Sequence, residues 1–215
     1  MLSKINSMAL QGLEGFLIDV QVDVSNGMPC FEMVGLPDTS VKEAKERVKT
    51  AIKNSGYELL SKRIVVNLAP ADTKKEGSIF DLPIAIGILQ DIGEIPKKDL
   101  TKLAFIGELS LDGKINRVNG ILPMCIEAKK LGIKELIVPE ENANEAAIVK
   151  EIKIIGAKNL RQVVGYLNEE IKISASTINL EEIFNAENKY NLDFSEVKGQ
   201  ENIKRAIEIA AAGRT

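Results

Sequence analysis

Between Phe16 and Val24 every second position is apolar: Phe16, Ile18, Val20, Val22 and Val24 share one parity, with Asp19, Gln21 and Asp23 on the other. That period-two alternation predicts a strand with one dry and one wet face. Ser3 to Leu10 precedes it across Gln11-Gly12 as a partner strand, and Cys30 to Val34 predicts a third strand ended by Gly35-Leu36-Pro37. The period then changes. From Asp38 to Ser55 an inner stripe of Val41, Ala44, Val48, Ala51 and Ile52 opposes an outer one of Lys42, Glu46, Lys49 and Lys53, which predicts an amphipathic helix. Ser40 and Glu43 have capping-box spacing, and Gly56 supplies the stop. The lysine run admits a nucleic-acid face as one reading; because Glu43 and Glu46 interleave with the lysines, a solvated surface is the preferred one.

Lys62 to Leu68 predicts a further strand, and Ala69 to Gly77 a polar, exposed loop. Leu82, Ile84, Ala85, Ile86, Ile88 and Leu89 are apolar nearly all round, so this helix belongs at the centre of the core. Asp81 is expected to cap it, with Pro83 in its first turn and Gly93 at its end. Phe105 to Leu111 and Lys114 to Val118 read as a hairpin about Asp112-Gly113. Asn119-Gly120 then starts a helix whose inner face is Ile121, Met124, Cys125, Ala128 and Leu131, and Gly132 stops it. A short buried strand, Glu135 to Val138, a helix from Ala143 to Val149, a strand at Lys153 to Ile155 and a helix from Asn159 to Leu167 follow. Strands and helices in this mixed order predict an α+β fold, a mixed sheet with helices packed on it.

Residues 171–191 change character: Ser174, Ser176, Thr177, Glu181, Glu182 and Glu187 surround isolated anchors at Leu180 and Ile183-Phe184. This reads as a linker. A net charge of −3 and a pI near 5.3 argue against a domain devoted to gripping a phosphate backbone. The absence of histidine removes imidazole catalysis and imidazole metal ligation. Cys30 and Cys125 lie far apart among apolar neighbours and read as two reduced core thiols. With neither a signal-peptide pattern nor an apolar run of membrane-spanning length, the expected location is the cytoplasm, away from membranes.

Gly107-Glu108, Leu111 with Gly113, Val118-Asn119-Gly120, Ala128, Gly132-Ile133-Lys134 and Ile137-Val138-Pro139 closing on Asn142 resemble the proteolytic domain of Lon-type proteases, a ribosomal S5 domain 2-like fold. The resemblance implies a serine–lysine dyad. The lysine position falls on Leu122, which can neither give nor take a proton. Lys75-Glu76-Gly77 resembles the loop before the catalytic serine, whose position falls closest to Asp81, with Ser78 three residues early. The expected reading is therefore a proteolytically inactive Lon-like domain over residues 1–170, with no catalytic residues and no metal site. Lys74 and Lys75, on the expected exposed loop, are candidate contacts to DNA phosphates.

Asp193, Phe194, Val197, Gly199 and Gln200 match the start of an AAA+ ATPase module. The resemblance puts Val197 and Gly199 beside the adenine pocket, with 192–215 as the truncated start of that module. No G-x-x-x-x-G-K-[ST] follows, so the chain by itself is expected to hold no cofactor and to lack ATPase activity; it reads as a piece of a longer protein. Gly12-Leu13-Glu14-Gly15, Val34-Gly35-Leu36-Pro37-Asp38, Asn67-Leu68-Ala69-Pro70-Ala71-Asp72 and Phe80-Asp81-Leu82-Pro83 resemble the magnesium chelatase-like AAA+ ATPases of the ComM/YifB type. That resemblance implies a bacterial hexameric motor using ATP and Mg, self-associating, acting on DNA, with ComM-like branch migration in natural transformation. The N-terminal domain is then a ring-forming scaffold. Two other readings stay open: a regulatory peptide- or protein-binding module, and a Ser/Lys peptidase with a displaced dyad.

Overall fold

The structure is a computed structural model. It describes residues 2–59, 62–96, 99–178 and 194–213. The chain divides into two compact units, Met1–Ile178 and Asn179–Thr215. The first unit is built on a seven-stranded mixed sheet in the order β3-β4-β2-β1-β5-β8-β9. β1 (Ser3–Gln11) and β2 (Glu14–Ser25) form the long antiparallel hairpin expected from their alternation, and β4 (Arg63–Ala69) runs antiparallel to β2. β3 (Cys30–Val34), β5 (Leu103–Phe105), β8 (Glu135–Pro139) and β9 (Lys153–Ala157) are parallel to their neighbours. The fold class is the α+β mixed sheet that the order of elements predicts.

Two cores flank this sheet. On one face α1 (Thr39–Asn54), α2 (Asp81–Ile92) and α5 (Leu160–Leu167) bury Val20, Val22, Val66, Leu68, Ile137 and Ile155. On the other, α3 (Ile121–Lys130) and α4 (Ala143–Ala146) cover Met8, Ala104, Leu136, Val138 and Ile154. β8 and β9 are therefore apolar on both sides, as parallel strands between helix layers must be. The polar side of β2 stays wet: Gln21 Nε2 donates to Asp19 Oδ2 at 2.6 Å and Asn67 Nδ2 to Gln21 Oε1 at 3.0 Å.

The expected strand from Phe105 to Leu111 is broken. Ile106 N–H still donates to Ile137 O at 3.0 Å, but Gly107 N–H turns away to Ile79 O at 3.0 Å. A Cβ at Gly107 would meet Ile115 Cγ2 at 2.6 Å, so only glycine lets the chain leave the large sheet here. It continues into a separate two-stranded hairpin, β6 (Glu108–Leu109) with β7 (Ile115–Asn116).

Two expected caps also differ. Asp38, not Ser40, caps α1: Val41 N–H donates to Asp38 Oδ1 at 2.8 Å, and Glu43 turns instead toward Arg47 at 3.9 Å. The α3 cap is Gly120 at φ 74°, with no side-chain bond from Asn119. Buried Asn142 fixes that helix start from a distance, accepting from Val118 N and donating to Val118 O, both at 2.9 Å.

From Ile171 to Ile178 the backbone is irregular and still lies along the first unit, with Ser176 N–H donating to Ile154 O at 2.9 Å. The rest of the expected linker, 179–191, and Asp193 lie outside the described residues. The second unit shows a 3-10 turn at Phe194–Glu196 and a helix α6, Glu201–Gly213. Ile203, Ile207 and Ile209 are exposed on that helix.

Candidate functional site

The position expected for a serine nucleophile is the first turn of α2. Asp81 is the first residue of that helix, its side chain has no exposed surface, and it caps nothing. Helix α1 runs across this point and delivers Arg47. Its Nε donates to Asp81 Oδ2 at 2.7 Å and its Nη2 to Oδ1 at 3.0 Å, a two-pronged pair. Leu109 N–H, from β6, donates to Asp81 Oδ2 at 3.2 Å, and Arg47 Nη2 also reaches Ser40 O at 3.1 Å. Burial pushes the Asp81 carboxyl above its usual range, and Arg47 and the Leu109 amide pull it part of the way back. The same contact holds Arg47 more firmly protonated than usual. The capping role expected for Asp81 is thus replaced by an ion pair joining α1, α2 and β6. A local pattern cannot show this, because the partner lies 34 residues away.

Ser78 is half-buried, and its hydroxyl donates to Glu108 Oε2. Asn116 Nδ2 donates to Glu108 Oε1 at 3.2 Å, and Ser110 Oγ to Asn116 Oδ1 at 3.1 Å. No lysine nitrogen faces Ser78 among the bonds of the described residues. Leu122, in the first turn of α3, presents a half-buried hydrocarbon side chain.

The loop before α2 differs from its expected form. Lys74 is exposed and reaches Glu76 Oε1 at 2.7 Å. Lys75, expected to be exposed, is fully buried. Its backbone bridges to the segment after β3, donating to Leu36 O at 3.2 Å and accepting from Asp38 N at 3.0 Å. Its ammonium donates to Thr73 O at 2.6 Å and to Pro70 O. Burial lowers its pKa, with Asp72 opposing. The sequence signal was misleading because the side chain folds back onto carbonyls of its own loop, which composition does not encode.

Val197 is exposed, and Gly199 takes φ 73° in the second unit. They present backbone without a phosphate-binding loop, so these residues alone do not make an ATP site. Cys125 is buried and its thiol is pushed up to about 12, whereas Cys30 is half-buried on edge strand β3 and not in the core as expected. Among the described residues no group of acidic and cysteine side chains could hold a metal ion, and no helix is long and apolar enough to cross a membrane.

Comparison with known proteins gives this geometry relatives. The chain is 42% identical over 214 residues to "Competence protein ComM" of Haemophilus influenzae, covering 99% of this chain and 42% of that protein. It is 38% identical over 212 residues to YifB of Escherichia coli, covering 99% of this chain and 41% of that protein. A more distant match, 28% over 193 residues, is Lon protease 2 of Bacillus subtilis, covering 80% of this chain and 33% of that protein. The chain thus spans about two-fifths of the length of its nearer relatives among these. The family model described as subunit ChlI of Mg-chelatase matches residues 20–142, and on that match the chain belongs to the Mg-chelatase ChlI-like family, in company with ComM and YifB.

Proposed function

We propose that this chain is the non-catalytic N-terminal part of a cytoplasmic, ATP-driven DNA motor with a ComM-like role in competence, and that its Lon-like unit is a scaffold for ring assembly. One observation carries the non-catalytic half of this reading. The position expected for a nucleophile is filled by a buried carboxylate locked to a guanidinium, Asp81 to Arg47 at 2.7 and 3.0 Å. Neither group attacks a carbonyl, and arginine does not act as a base near neutral pH. The competence role is supported by the name carried by the relative at 42% identity.

In this reading ATP and Mg are bound by the AAA+ module, to which Val197 and Gly199 contribute the adenine-side backbone. Lys74 is the accessible DNA-contact candidate on its loop. Lys75 would have to leave its two carbonyls to join it. Sedimentation of the 215-residue chain and of the full-length protein with ATP tests the scaffold, with association of the chain into closed oligomers the expected result. Incubation with unfolded casein and a serine-reactive fluorophosphonate tests the loss of peptidase chemistry. The expected result is no cleavage and no adduct; labelling at Ser78 overturns the reading.

A further inference from the structure

The C-terminal half of α1 carries a feature that neither the Asp81 pair nor the family resemblance uses. Lys49 and Lys53, one helical turn apart, and Lys62, just before β4, converge on an open pocket of about 570 Å³. Tyr57, Leu59 and Ile64 give it apolar surface, Pro29 and Cys30 form the β3 side, and among the described residues Glu58 is its single acidic lining residue. That volume is in the range of small-ligand pockets, about 300–1,000 Å³.

The charges there are unbalanced. Several other basic side chains of the first unit sit within ion-pair reach of glutamates: Lys114 with Glu141, Arg117 with Glu145, Lys129 with Glu151, Lys158 with Glu140. Among the described residues Lys49, Lys53 and Lys62 have no carboxylate partner. Lys49 and Lys62 are nevertheless half-buried. The Lys49 ammonium rests 5.4 Å from the centroid of the Phe31 ring, a cation–π contact that leaves its net charge unneutralised.

A helix C-terminus usually repels an anion, because its last carbonyls point outward. Here they are engaged. Gly56 N–H donates to Lys53 O at 3.0 Å and Tyr57 N–H to Ile52 O at 3.2 Å, a Schellman motif with Gly56 at φ 90°. Arg161 donates to Ser55 O at 3.0 and 3.2 Å. The turn that satisfies those carbonyls also makes Tyr57 a lining residue of the pocket, its hydroxyl in the field of Arg161, Glu170 and Glu94.

We infer that this pocket binds a nucleotide unit, its phosphate on Lys49, Lys53 and Lys62 and its base against Tyr57. Lysines without arginine forks suit phosphate as point charges, and an aromatic ring lining the same pocket offers a surface on which a base can stack. The same chemistry is offered by a free nucleotide and by a nucleotide within a single strand. The inference does not depend on the ring-scaffold reading.

The test measures binding of a fluorescent oligothymidylate and, separately, of a fluorescent ADP analogue to the 215-residue chain across a salt series. Two variants are compared, Lys49→Gln/Lys53→Gln/Lys62→Gln and a charge-matched control, Lys102→Gln/Lys134→Gln/Lys150→Gln, whose sites are exposed elsewhere. If the strand is the ligand, the pocket variant lowers the log–log salt slope by about 2, at about 0.7 per phosphate contact, while the control does not. Tyr57→Leu then weakens binding by about fivefold or more with the slope unchanged. If only the ADP arm shows the pocket-specific loss, the source is free nucleotide and the inference also stands. Equal losses in both triple variants, no loss in either, or no binding in either arm overturns it.

Discussion

Replacing Arg47 by methionine tests whether the guanidinium is what allows Asp81 to sit in the core. Methionine keeps much of the side-chain stem and leaves a carboxylate with no exposed surface, retaining the Leu109 amide at 3.2 Å. Two responses compete. Keeping the charge without its partner costs about 3–5 kcal/mol. Taking up a proton at about pH 7, from a carboxyl whose unfolded pKa is about 3.9, costs about 4 kcal/mol. The cheaper response sets the loss, about 3–4 kcal/mol, or about 6–16 °C in Tm for a domain of this size. In the variant the folded-state pKa of Asp81 lies above its unfolded value. The penalty is therefore absent below the unfolded pKa and grows as pH rises to the folded one. By about pH 5 the proton-uptake cost has fallen to about 1.5 kcal/mol. The parent protein has the same sign in smaller measure, because burial outweighs Arg47 in raising the Asp81 pKa. Urea unfolding of both proteins at the two pH values reads the effect. A loss below about 1 kcal/mol at neutral pH, or one that does not shrink on acidification, refutes the account.

Lys75 titrates with the opposite charge. Burial puts its folded pKa below 10.5, so the unfolded chain holds that proton more tightly, and stability rises with pH between the folded pKa and the unfolded one. In Lys75→Met that rise is lost, and the parent-minus-variant difference in urea midpoint should climb through the alkaline range; a flat difference contradicts the burial. Cys30 should react with a disulfide reagent in the native protein and Cys125 only on unfolding, since its thiol is buried and its pKa is pushed to about 12; two thiols of equal rate would be the contrary result. Gly35→Ala should prevent normal folding: φ is 97° and the new Cβ would collide with Leu68 O. The left-handed backbone alone costs about 1–2 kcal/mol, so an unchanged melting temperature would show that the β3–α1 turn differs from this structure.

The elements legible in the sequence were those whose burial repeats at a fixed period. The alternation of β2, the inner stripe of α1 and the continuous apolar run of α2 each follow from which residues must leave water, and each was placed within a few residues. What escaped was set by partners distant in sequence or by side chains turning back. Asp81 had the composition of a cap, but Arg47, delivered by another helix, turned it into half of an ion pair. Lys75 sat in a polar run, and its long side chain folded under that run. Gly107 stood in an apolar stretch that reads as one strand, and the missing Cβ is what lets the chain cross to a second sheet. At the Lon-like position the hydrocarbon side chain of Leu122 was legible from sequence. The pairing of Asp81 with Arg47 was not.

The polar groups around the start of α2 and the segments packed on it are mostly committed within the fold. Asp81 is held by Arg47, Ser78 by Glu108, Lys75 by two carbonyls and Asn142 by the backbone of Val118. An active site keeps some of its polar groups available to substrate, and that lowers stability. Here those groups bind one another and tie α1, α2, β6 and the start of α3 into one body. A buried ion pair adds little net stability over an apolar replacement, so its consequence is positional: it fixes where α1 crosses α2. That crossing also places the C-terminal half of α1, where Lys49 and Lys53 line one pocket with Tyr57 and Glu58. Binding is therefore to be sought along the C-terminal half of α1, where among the described residues Lys49 and Lys53 have no carboxylate in ion-pair reach, before the first turn of α2.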